Sequence, residues 1–422
     1  MKNIIFTIGG RKNSKLFCDA LPHDHKYEII HIDDDIKKEK CKSPKQIKKE
    51  IYSYLKKNGN KPIAIISFAR NTVYNSVENI AKTFDLLSVD KKFKNCKFIG
   101  PYFSSAKLFS DKWTATKKLK SDGYNMLETI KIDKRLLAKE KLKFSWPAVL
   151  KATNLTGGIG MYLVKKRKNL LSKYKSQLKQ GVEKSILTEY LEGPEISFEL
   201  LSLGNKLFML PMSIKESTNL SLDHGDSKIK ICGYLKPINL IYNEVISIAK
   251  KYKINGYFAV EGILYDKNNK KWKIMEAMTR FTGSYPMINE ACYPFNAFYA
   301  IFQYINNKKW IPEKNKHRIV IQLPVFKKNA QQAEKMVNNL KHYKWIVSAR
   351  VEDMSKLPLS LDKRIRIQIT FKVEKNFSEQ IKIIEKILKN HEINKRIYEA
   401  INKINILFPE LVYNKKLINE LR

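Results

Sequence analysis

Long apolar runs are absent from this sequence of 422 residues. None approaches the roughly 18 uninterrupted apolar residues that a membrane-spanning helix needs. The apolar run at residues 4–8 lies just before Gly9 and Gly10, and it is too short for the core of a signal peptide. We therefore expect a cytoplasmic protein with no membrane partner, in which this first apolar run is a buried strand.

Cysteine and histidine are also scarce. The five cysteines are odd in number, lie far apart and form no C-x-x-C pair, so a reducing compartment is favoured. Of the seven histidines, only His23, His25 and His31 cluster, and they lack cysteine or carboxylate partners at ligand spacing. A metal site at these histidines is therefore not predicted.

Acidic residues are few, with 41 Asp and Glu against 80 Lys and Arg, which gives a formal net charge of +39. A charge of this sign and size suggests a nucleic-acid or acidic membrane surface. The lysines are spread along the whole chain, however, and no RNA-binding aromatic motif, zinc finger or basic helix accompanies them. We interpret the charge as a solvated lysine surface and expect no specific nucleic-acid partner.

The chain is long enough for two or three domains. Its first hundred residues place strand-like runs at 3–8, 27–32, 62–68 and 97–99 between longer polar segments. This alternation is typical of an open parallel α/β sheet. The N-terminal region is therefore predicted to have that architecture.

A helix is predicted between the third and fourth of these strands, because apolar residues recur at helical spacing over residues 73–84. Asn71 and Thr72 can cap its N-terminus. The two glycines after the first strand and the acidic residues 33–35 are similar to a dinucleotide fold, but the full G-x-G-x-x-G is missing. A tight turn and a polar strand end are favoured, so neither nicotinamide nor flavin is predicted.

The pattern changes near residue 144 to strands joined by short turns, which continue to about residue 293 and predict a second domain. Further on, strand-like runs at 318–326 and 364–373 and an amphipathic helix over 381–388 predict a smaller α/β domain. The predicted domains are residues 1–110, 111–310 and 311–422.

A lysine and a glycine-rich loop follow a short apolar run. Residues 147–151 are predicted to form a buried strand ending in Lys151, and Gly157, Gly158 and Gly160 follow. Such a loop can close over phosphates with its backbone amides, while the lysine supplies a positive charge. Taken alone, the segment is equally compatible with a glycine-rich hairpin that carries a surface lysine.

A Gly-Pro pair interrupts the chain about thirty residues later, within residues 187–195, and Glu195 directly follows it. The carboxylate of Glu195 can accept hydrogen bonds from ribose hydroxyls. The segment is also compatible with an ordinary strand and turn.

The strongest pattern is a predicted β-hairpin at residues 257–277. If it closes symmetrically, Tyr265 faces Trp272 and Glu261 lies directly opposite Glu276. Opposed carboxylates with Cβ atoms about 5 Å apart repel each other unless a cation or a proton lies between them. Mg²⁺ suits such an oxygen-rich pair. Two exposed acids tolerated by nearby lysines are the weaker interpretation, because both strands are otherwise strongly apolar.

An arginine follows the second acid after four residues. Arg280 can hold an anionic oxygen in a forked geometry, and Gly283 lets the chain pass close to a substrate. These residues add a candidate anion site next to the candidate metal site.

Taken in order, these segments resemble the ATP-grasp superfamily, and specifically its carboxylate-amine ligases, over about residues 1–305. Residues 98–101 and then 110–113, followed by a helix and Gly123, are similar to the family's passage into its nucleotide-binding domain. The resemblance implies an N-terminal Rossmann-like open parallel sheet and a central ATP-grasp fold of two α+β subdomains that clasp ATP. It leaves a small C-terminal α/β domain after them.

The resemblance also implies roles for single residues. The implied cofactor-binding residues are Lys112 and Lys151 at the phosphates, Thr153, Gly157 and Gly158 in a mobile loop over them, Glu189 and Leu191 with Tyr190 between them at adenine, and Glu195 at the ribose. The implied metal ligands are Glu261 and Glu276. The implied catalytic residues are Arg280, which steadies an acyl phosphate, and Ser284.

The implied cofactors are ATP and Mg²⁺, with Mn²⁺ as an alternative, and the implied partners are a small-molecule carboxylate and an amine. In such enzymes the carboxylate attacks the γ-phosphate, and an amine captures the resulting mixed anhydride. The protein mainly positions the reactants and neutralises developing charge. An amino acid or a peptide is the expected substrate, and homodimers are common among such enzymes.

The chain departs from the family at Met278, where members usually carry asparagine two residues after the second metal acid. A thioether is a poor partner for magnesium, so the second metal position is expected to be weakened or completed by another group. Residues 215–235 lie where these ligases place a substrate-side loop, and we expect this loop to order over the substrate. His224 or Asp226 would then touch the amine, although a plain solvated loop is the more favoured interpretation.

Two rival functions remain beside the ligase. One is a kinase with the same ATP fold, which would phosphorylate a hydroxyl; the segment from Arg280 to Ser284 resembles ligases more than kinases. The other is a basic binding protein that has lost catalysis, which Met278 and the net charge make conceivable. The sequence names neither the carboxylate nor the amine.

Overall fold

The computed structural model describes the chain in separate segments, which together hold most of its residues. These are residues 2–21, 26–37, 40–59, 61–69, 76–138, 142–155, 160–215, 229–233, 239–266, 271–292, 297–308, 318–326, 330–353, 364–372 and 377–388. Several residues named from the sequence lie outside the described segments, namely His23, His25, Asn71, Thr72, Gly157, Gly158, His224 and Asp226. Residues 216–228 and 234–235 of the predicted substrate-side loop lie outside them as well.

The N-terminal region forms a four-stranded parallel sheet in the order β2-β1-β5-β6, and a separate pair of strands, β3 and β4, lies outside it. The strands are β1 (Asn3–Ile8), β2 (Tyr27–Ile32), β3 (Asp35–Lys37), β4 (Lys40–Cys41), β5 (Pro62–Ser67) and β6 (Lys97–Ile99). The helices are α1 (Arg11–Asp19), α2 (Pro44–Asn58), α3 (Ser76–Ser88) and α4 (Phe103–Phe109). The predicted parallel sheet is confirmed, and α3 confirms the predicted helix.

The turn from β1 into α1 requires glycine. Gly10 has φ of 55°, and a Cβ atom there would lie 2.0 Å from the carbonyl oxygen of Phe68. Only a residue without a side chain fits that approach. The glycine pair therefore makes the tight turn that the sequence favoured.

A second sheet is antiparallel and has the order β7-β10-β8-β9. Its strands are β7 (Thr129–Ile132), β8 (Ala148–Ala152), β9 (Tyr162–Val164) and β10 (Ser185–Glu189), and its helices are α6 (Lys134–Ala138) and α7 (Leu170–Lys179). Leu170 and Tyr174 of α7 share a buried cluster with Ala148 and Leu150 of β8. This small sheet therefore has its own core, and Lys151, the residue after Leu150, lies on the opposite face of β8.

The third sheet has nine strands in the order β16-β15-β11-β13-β14-β17-β19-β18, with β12 also paired to β11. Its strands are β11 (Glu195–Leu203), β12 (Lys206–Met209), β13 (Met212–Lys215), β14 (Lys230–Gly233), β15 (Gly256–Asp266), β16 (Lys271–Met278), β17 (Arg318–Phe326), β18 (Ile346–Asp353) and β19 (Arg364–Lys372). The accompanying helices are α5 (Lys112–Ser121), α8 (Asn239–Lys251), α9 (Tyr285–Ala291), α10 (Ala297–Ile305), α11 (Ala330–Leu340) and α12 (Phe377–Leu388).

The two faces of this central sheet differ in character, because side chains alternate along each strand. On β11, the even-numbered residues Ile196, Phe198 and Leu200 join the largest apolar core, to which helices α5, α8 and α11 also contribute. Glu195 and Glu199 lie on the opposite face, which is covered in part by α9 and α10. The candidate site is on this second face.

The C-terminal strands extend the central sheet beyond β14. Strands β17 and β19 confirm the runs predicted at 318–326 and 364–373, and α12 confirms the predicted amphipathic helix. Strand β18 and helix α11 were not predicted, although the apolar residues of α11 follow helical spacing. These residues are Ala333, Met336, Val337 and Leu340. The mixed α/β fold is confirmed, and no helix within the described segments is long and apolar enough to cross a membrane.

Candidate active site

The two predicted metal acids meet across the hairpin formed by β15 and β16. Glu261 pairs directly with Glu276, as the sequence predicted. The predicted contact between Tyr265 and Trp272 is wrong, because Trp272 pairs with Leu264 instead. Two register shifts occur in the hairpin. The first displaces the pairing by one residue after Glu261, and the second restores the original register at Asp266. Asp266 therefore pairs with Lys271 in the same symmetric register that pairs the two acids, and only residues 262–264 are displaced by one position.

Each of these acids contacts a lysine from another element. Lys215, at the end of β13, lies with Nζ 2.9 Å from Oε1 of Glu261 and 4.0 Å from Oε2 of Glu195. Burial lowers the pKa of Lys215, but the charges of Glu261 and Glu195 outweigh it and raise the pKa. Lys215 is therefore held in its charged form between two acids.

Glu276 lies among three cations. The Nζ atom of Lys112 is 3.3 Å from Oε1 of Glu276, and the Nη2 atom of Arg280 is 4.0 Å from the same oxygen. Burial raises the pKa of Glu276, while the charges of Lys112, Arg280 and Lys151 lower it, and the net shift is downward. Glu276 is therefore ionised at neutral pH and available to a cation.

The predicted phosphate-binding lysines lie at the junction of the central and small sheets. Lys112 is the first residue of α5, and its Nζ also donates to the carbonyl oxygen of Leu155, at 2.6 Å, in the loop after β8. Its backbone amide donates to the carbonyl oxygen of Thr153, at 2.9 Å. Lys151 lies on β8, close enough for its charge to lower the pKa of Glu276. The structure thus brings both lysines to the second acid.

The segment predicted to bind adenine follows β10, which ends at Glu189. The amide of Glu189 donates to the carbonyl oxygen of Glu128, at 2.8 Å, and its carboxylate accepts from the amide of Glu128 and from Nζ of Lys273. The backbone amide of Glu189 is therefore already used within the protein, and a backbone contact from Glu189 to adenine would have to come from its carbonyl oxygen. Tyr190 and Leu191 lie in the partly buried stretch between β10 and β11.

The turn after β16 carries the two predicted catalytic residues, Arg280 and Ser284. Ser284 is the N-cap of α9 and is only 3% exposed. Its amide donates to the hydroxyl of Thr282, at 3.2 Å, and the hydroxyl of Thr282 donates to Oε1 of Glu199, at 2.7 Å. Ser284 is thus placed to hold the turn, whereas Arg280 is the residue of this turn that reaches Glu276.

Sequence reasoning missed three residues around the site. Lys215 contacts Glu261 and Lys273 contacts Glu189, while Glu199 contacts Thr282 in the turn between Arg280 and Ser284. In each pair the two residues are far apart in the sequence. The alternation of β13, in which the polar Ser213 and Lys215 follow the apolar Met212 and Ile214 in turn, was the available signal for Lys215. The same alternation places Glu199 between Phe198 and Leu200, and Lys273 between Trp272 and Ile274, but it does not tell which residues they meet.

The donor set is compatible with a divalent cation. Glu261 and Glu276 supply carboxylate oxygens, which Mg²⁺ prefers, and their repulsion across the hairpin would be relieved by a bridging ion. Among the residues that the structure describes, no group of three or more His, Cys, Asp or Glu side chains could hold a metal. Met278 is 3% exposed within an apolar cluster and adds no oxygen. The protein therefore offers two acidic ligands here, and phosphate oxygens would have to supply others.

Comparison with known proteins identifies the domain that carries these residues. Residues 109–284 match the family model of the ATP-grasp domain. This part of the chain, which holds both acids, both lysines and Arg280, is therefore an ATP-grasp domain.

The chain is also similar to particular proteins. It is 22% identical over 244 residues to a carbamoyl-phosphate synthase from Methanobrevibacter smithii, and this match covers 56% of the chain but only 65%, a little under two thirds, of that relative. Its structure is similar to that of an L-amino acid ligase from Bacillus licheniformis, with a TM-score of 0.62, 15% identity, and coverage of 92% of this chain and 97% of the ligase.

Two nucleotide complexes are similar as well. N5-carboxyaminoimidazole synthase from Aspergillus clavatus, bound to ADP and a ribonucleotide, has a TM-score of 0.63 and 12% identity over 92% of this chain and 99% of that chain. A biotin carboxylase domain from Hydrogenobacter thermophilus, bound to MgADP, has a TM-score of 0.59 and 14% identity, with coverage of 97% of this chain and 99% of that domain. At such identities these likenesses show the fold, and they confirm the predicted ATP-grasp architecture. The predicted nucleotide and magnesium agree with the ligands of these complexes.

Proposed function

We propose that this protein is an ATP- and Mg²⁺-dependent carboxylate-amine ligase that forms an amide bond and releases ADP and phosphate. The observation that carries the proposal is the direct pairing of Glu261 with Glu276, beside Lys112, Lys151 and Arg280. Paired acids, two lysines and an arginine can hold the charges of a metal-bound triphosphate and an adjacent anionic intermediate.

In this proposal, Lys112 and Lys151 bind ATP phosphates, and Thr153 with Gly157 and Gly158 covers them. The segment from Glu189 through Tyr190 to Leu191 binds adenine. Glu195 binds the ribose through its carboxylate, although Nζ of Lys215 already lies 4.0 Å from that group. Mg²⁺ held by Glu261 and Glu276 would neutralise charge on the phosphates.

The proposed reaction has two steps. A substrate carboxylate oxygen attacks the γ-phosphorus of ATP, so that ADP leaves and an acyl phosphate forms. The amine nitrogen then attacks the acyl carbon, the C–O bond to phosphate breaks, and the amine loses a proton as the amide forms. In this proposal Arg280 holds the negative charge of the acyl phosphate, and the 4.0 Å distance from its guanidinium to Glu276 supports this role.

The substrates are proposed to be small molecules, with an amino acid or a peptide on at least one side. We further propose the domain limits 1–110, 111–310 and 311–422, a cytoplasmic location and a homodimeric state. The C-terminal strands continue the sheet that carries the acids. The region after residue 310 is therefore built onto the active-site sheet and can contribute to substrate selection.

The test is to incubate the purified full chain with ATP, Mg²⁺ and pairs of amino acids, to measure ADP and phosphate, and to identify products by mass. The expected result is release of ADP and phosphate together, only when a carboxylate and an amine are both supplied, with a product lighter by one water than the sum of the pair. ADP release accompanied by a stable phosphoester would instead identify a kinase. The absence of ADP release across the whole screen, at saturating ATP, would contradict the enzyme proposal.

A further inference from the structure

The buried carboxyl group of Glu199 lies on the active-site face, on the strand next to the one that carries Glu261. Ser197 of β11 pairs with Glu261, and Glu199, two residues further along the same strand, pairs with Ala259. Glu199 is completely buried, at 0% exposure. Because a buried carboxyl group is costly unless its polar atoms are used, its position beside the candidate site calls for an explanation.

Glu199 is bound to the turn that carries Arg280. Its Oε1 atom accepts from the hydroxyl of Thr282, at 2.7 Å, and from the hydroxyl of Ser197, at 3.2 Å. The hydroxyl oxygen of Thr282 in turn accepts from the amide of Ser284, at 3.2 Å. A continuous chain of hydrogen bonds therefore joins the middle of β11 to the turn between β16 and α9.

The position of Arg280 depends on this turn. Its Nη1 atom donates to the carbonyl oxygen of Phe281 within the turn, at 3.4 Å, and its Nη2 atom lies 4.0 Å from Glu276. Thr282 follows Arg280 by two residues, and Phe281 between them stacks on the ring of Tyr257, with centroids 4.3 Å apart. Apolar packing and the hydrogen-bonded link from Glu199 therefore both act on the same short segment.

We propose that Glu199 is a positioning residue, which acts through Thr282 to hold Arg280 over the reacting phosphate. This inference rests on the proposed ligase function. It assigns to Glu199 no contact with substrate. The link, rather than the ring stacking of Phe281, sets the placement of the guanidinium, since a directional hydrogen bond fixes a backbone position more narrowly than ring packing does.

The state of the carboxyl group determines which substitution preserves the link. Burial, with a further contribution from the charge of Glu261, raises the pKa of Glu199 to about 8. The group is then mainly protonated at neutral pH, and its Oε2 atom is buried without a hydrogen-bond partner in the described part of the chain. Glutamine, with a neutral amide of the same shape, retains an oxygen that can accept from Thr282.

The test compares Thr282→Val with Thr282→Ser. Valine keeps the shape of threonine and removes the hydroxyl, while serine keeps the hydroxyl, so the pair separates the link from packing. Thr282→Val is expected to lower kcat for ADP release about 100-fold, while KM for ATP changes less than about 3-fold. Thr282→Ser and Glu199→Gln are expected to stay within about 5-fold of the unmodified chain in kcat. Equal losses in the valine and serine variants, or a change in KM alone, would overturn the proposal.

A second readout does not depend on turnover. Hydrogen exchange of the amide of Ser284, followed in a peptide covering residues 279–287, is expected to quicken at least about 10-fold in Thr282→Val and to remain slow in Thr282→Ser. Equal exchange in the two variants would overturn the link even if no substrate pair gave ADP, an outcome that would separately contradict the ligase function. Should Thr282→Val fail to fold, Thr282→Ala removes the same hydroxyl and takes its place.

Discussion

At the scale of single residues, the site is a balance between partly buried charges. Glu261 and Glu276 each face a lysine as well as each other, through Lys215 and Lys112. A charge that has lost most of its contact with water is tolerated when such partners compensate it. Removing one of these charges should therefore disturb the site more than it disturbs the fold.

Glu276→Gln is expected to lower ATP turnover by about 100-fold or more, because it removes one of two acidic metal ligands and leaves the surrounding cations uncompensated. The measurement is the rate of ADP release together with the thermal midpoint. Glu50→Gln is the matched control, since Glu50 is an exposed partner of Lys42 far from the acids. Full activity of Glu276→Gln would remove the metal assignment.

The pKa of Glu199 predicts how stability depends on pH. Its ordinary value is 4.5, and the folded value is about 8. Between these values the folded chain keeps a proton that the unfolded chain loses, so this group contributes less stability as pH rises from 5 to 8. The charged or titratable groups that act with it are Glu261, Lys215, Cys232 and Tyr285.

The thermal midpoint of Glu199→Gln, measured against that of the unmodified chain, should therefore rise as the pH of a metal-free buffer is raised from 5 to 8. The measurement is a series of melting curves across this range, with Glu50→Gln as the control that should follow the unmodified chain. A constant difference between Glu199→Gln and the unmodified chain at every pH would contradict the raised pKa.

At the scale of secondary structure elements, the hairpin of β15 and β16 positions the acids through two compensating irregularities. One register shift lies between Glu261 and Gly262, and the other lies between Leu264 and Asp266. The backbone at Gly262 passes so close to its neighbour that a Cβ atom would lie 2.4 Å from Cε3 of Trp272. The local geometry of the hairpin therefore depends on this glycine.

Gly262→Ala is expected to lower the free energy of unfolding by about 1–3 kcal/mol, because the added methyl group overpacks against Trp272. Denaturant titration measures this change. Gly283→Ala is the control, since a Cβ atom at Gly283 would meet nothing within 4 Å and should change stability by less than about 0.5 kcal/mol. Equal stability of the two variants would contradict the close approach at Gly262.

At the scale of the whole molecule, the N-terminal sheet docks against the central sheet through buried contacts. One apolar cluster contains residues of both, such as Phe68 from the N-terminal region and Phe281 and Phe298 from the central region. Asn255 adds hydrogen bonds across this junction, from Nδ2 to the carbonyl oxygens of Phe98 and Gly100, at 2.9 and 2.8 Å. The two regions are therefore held together beside the site.

Asn255→Ala should lower the free energy of unfolding by about 1–3 kcal/mol, because two buried carbonyl oxygens would lose their donor. The check is denaturant unfolding combined with limited proteolysis near residue 100. Asn58→Ala, which removes an exposed bond to the carbonyl oxygen of Tyr54, is the control and should have little effect. A loss of stability no larger than that of the control would show that the docking depends on apolar packing alone.

The sequence by itself determined the parts of this protein that depend on local periodicity. The alternation of residues 257–277 predicted a hairpin that pairs Glu261 with Glu276, and this pairing is confirmed although the contact predicted for Tyr265 is wrong. The N-terminal strands were likewise readable, because strand and turn preferences act within a few residues. The ATP-grasp assignment came instead from the resemblance of the motifs to a known family, and residues 109–284 match that family's domain model.

Only the tertiary structure decided which distant residues complete the site. Lys215 meets Glu261 across 46 residues, Glu199 meets Thr282 across 83, and the C-terminal strands join the sheet that carries the acids. None of these contacts has a local signature, because sheet order and strand register are set by which apolar faces can be buried together. The sequence determined which chemical groups are present, and the packing of the sheets determined which of them meet.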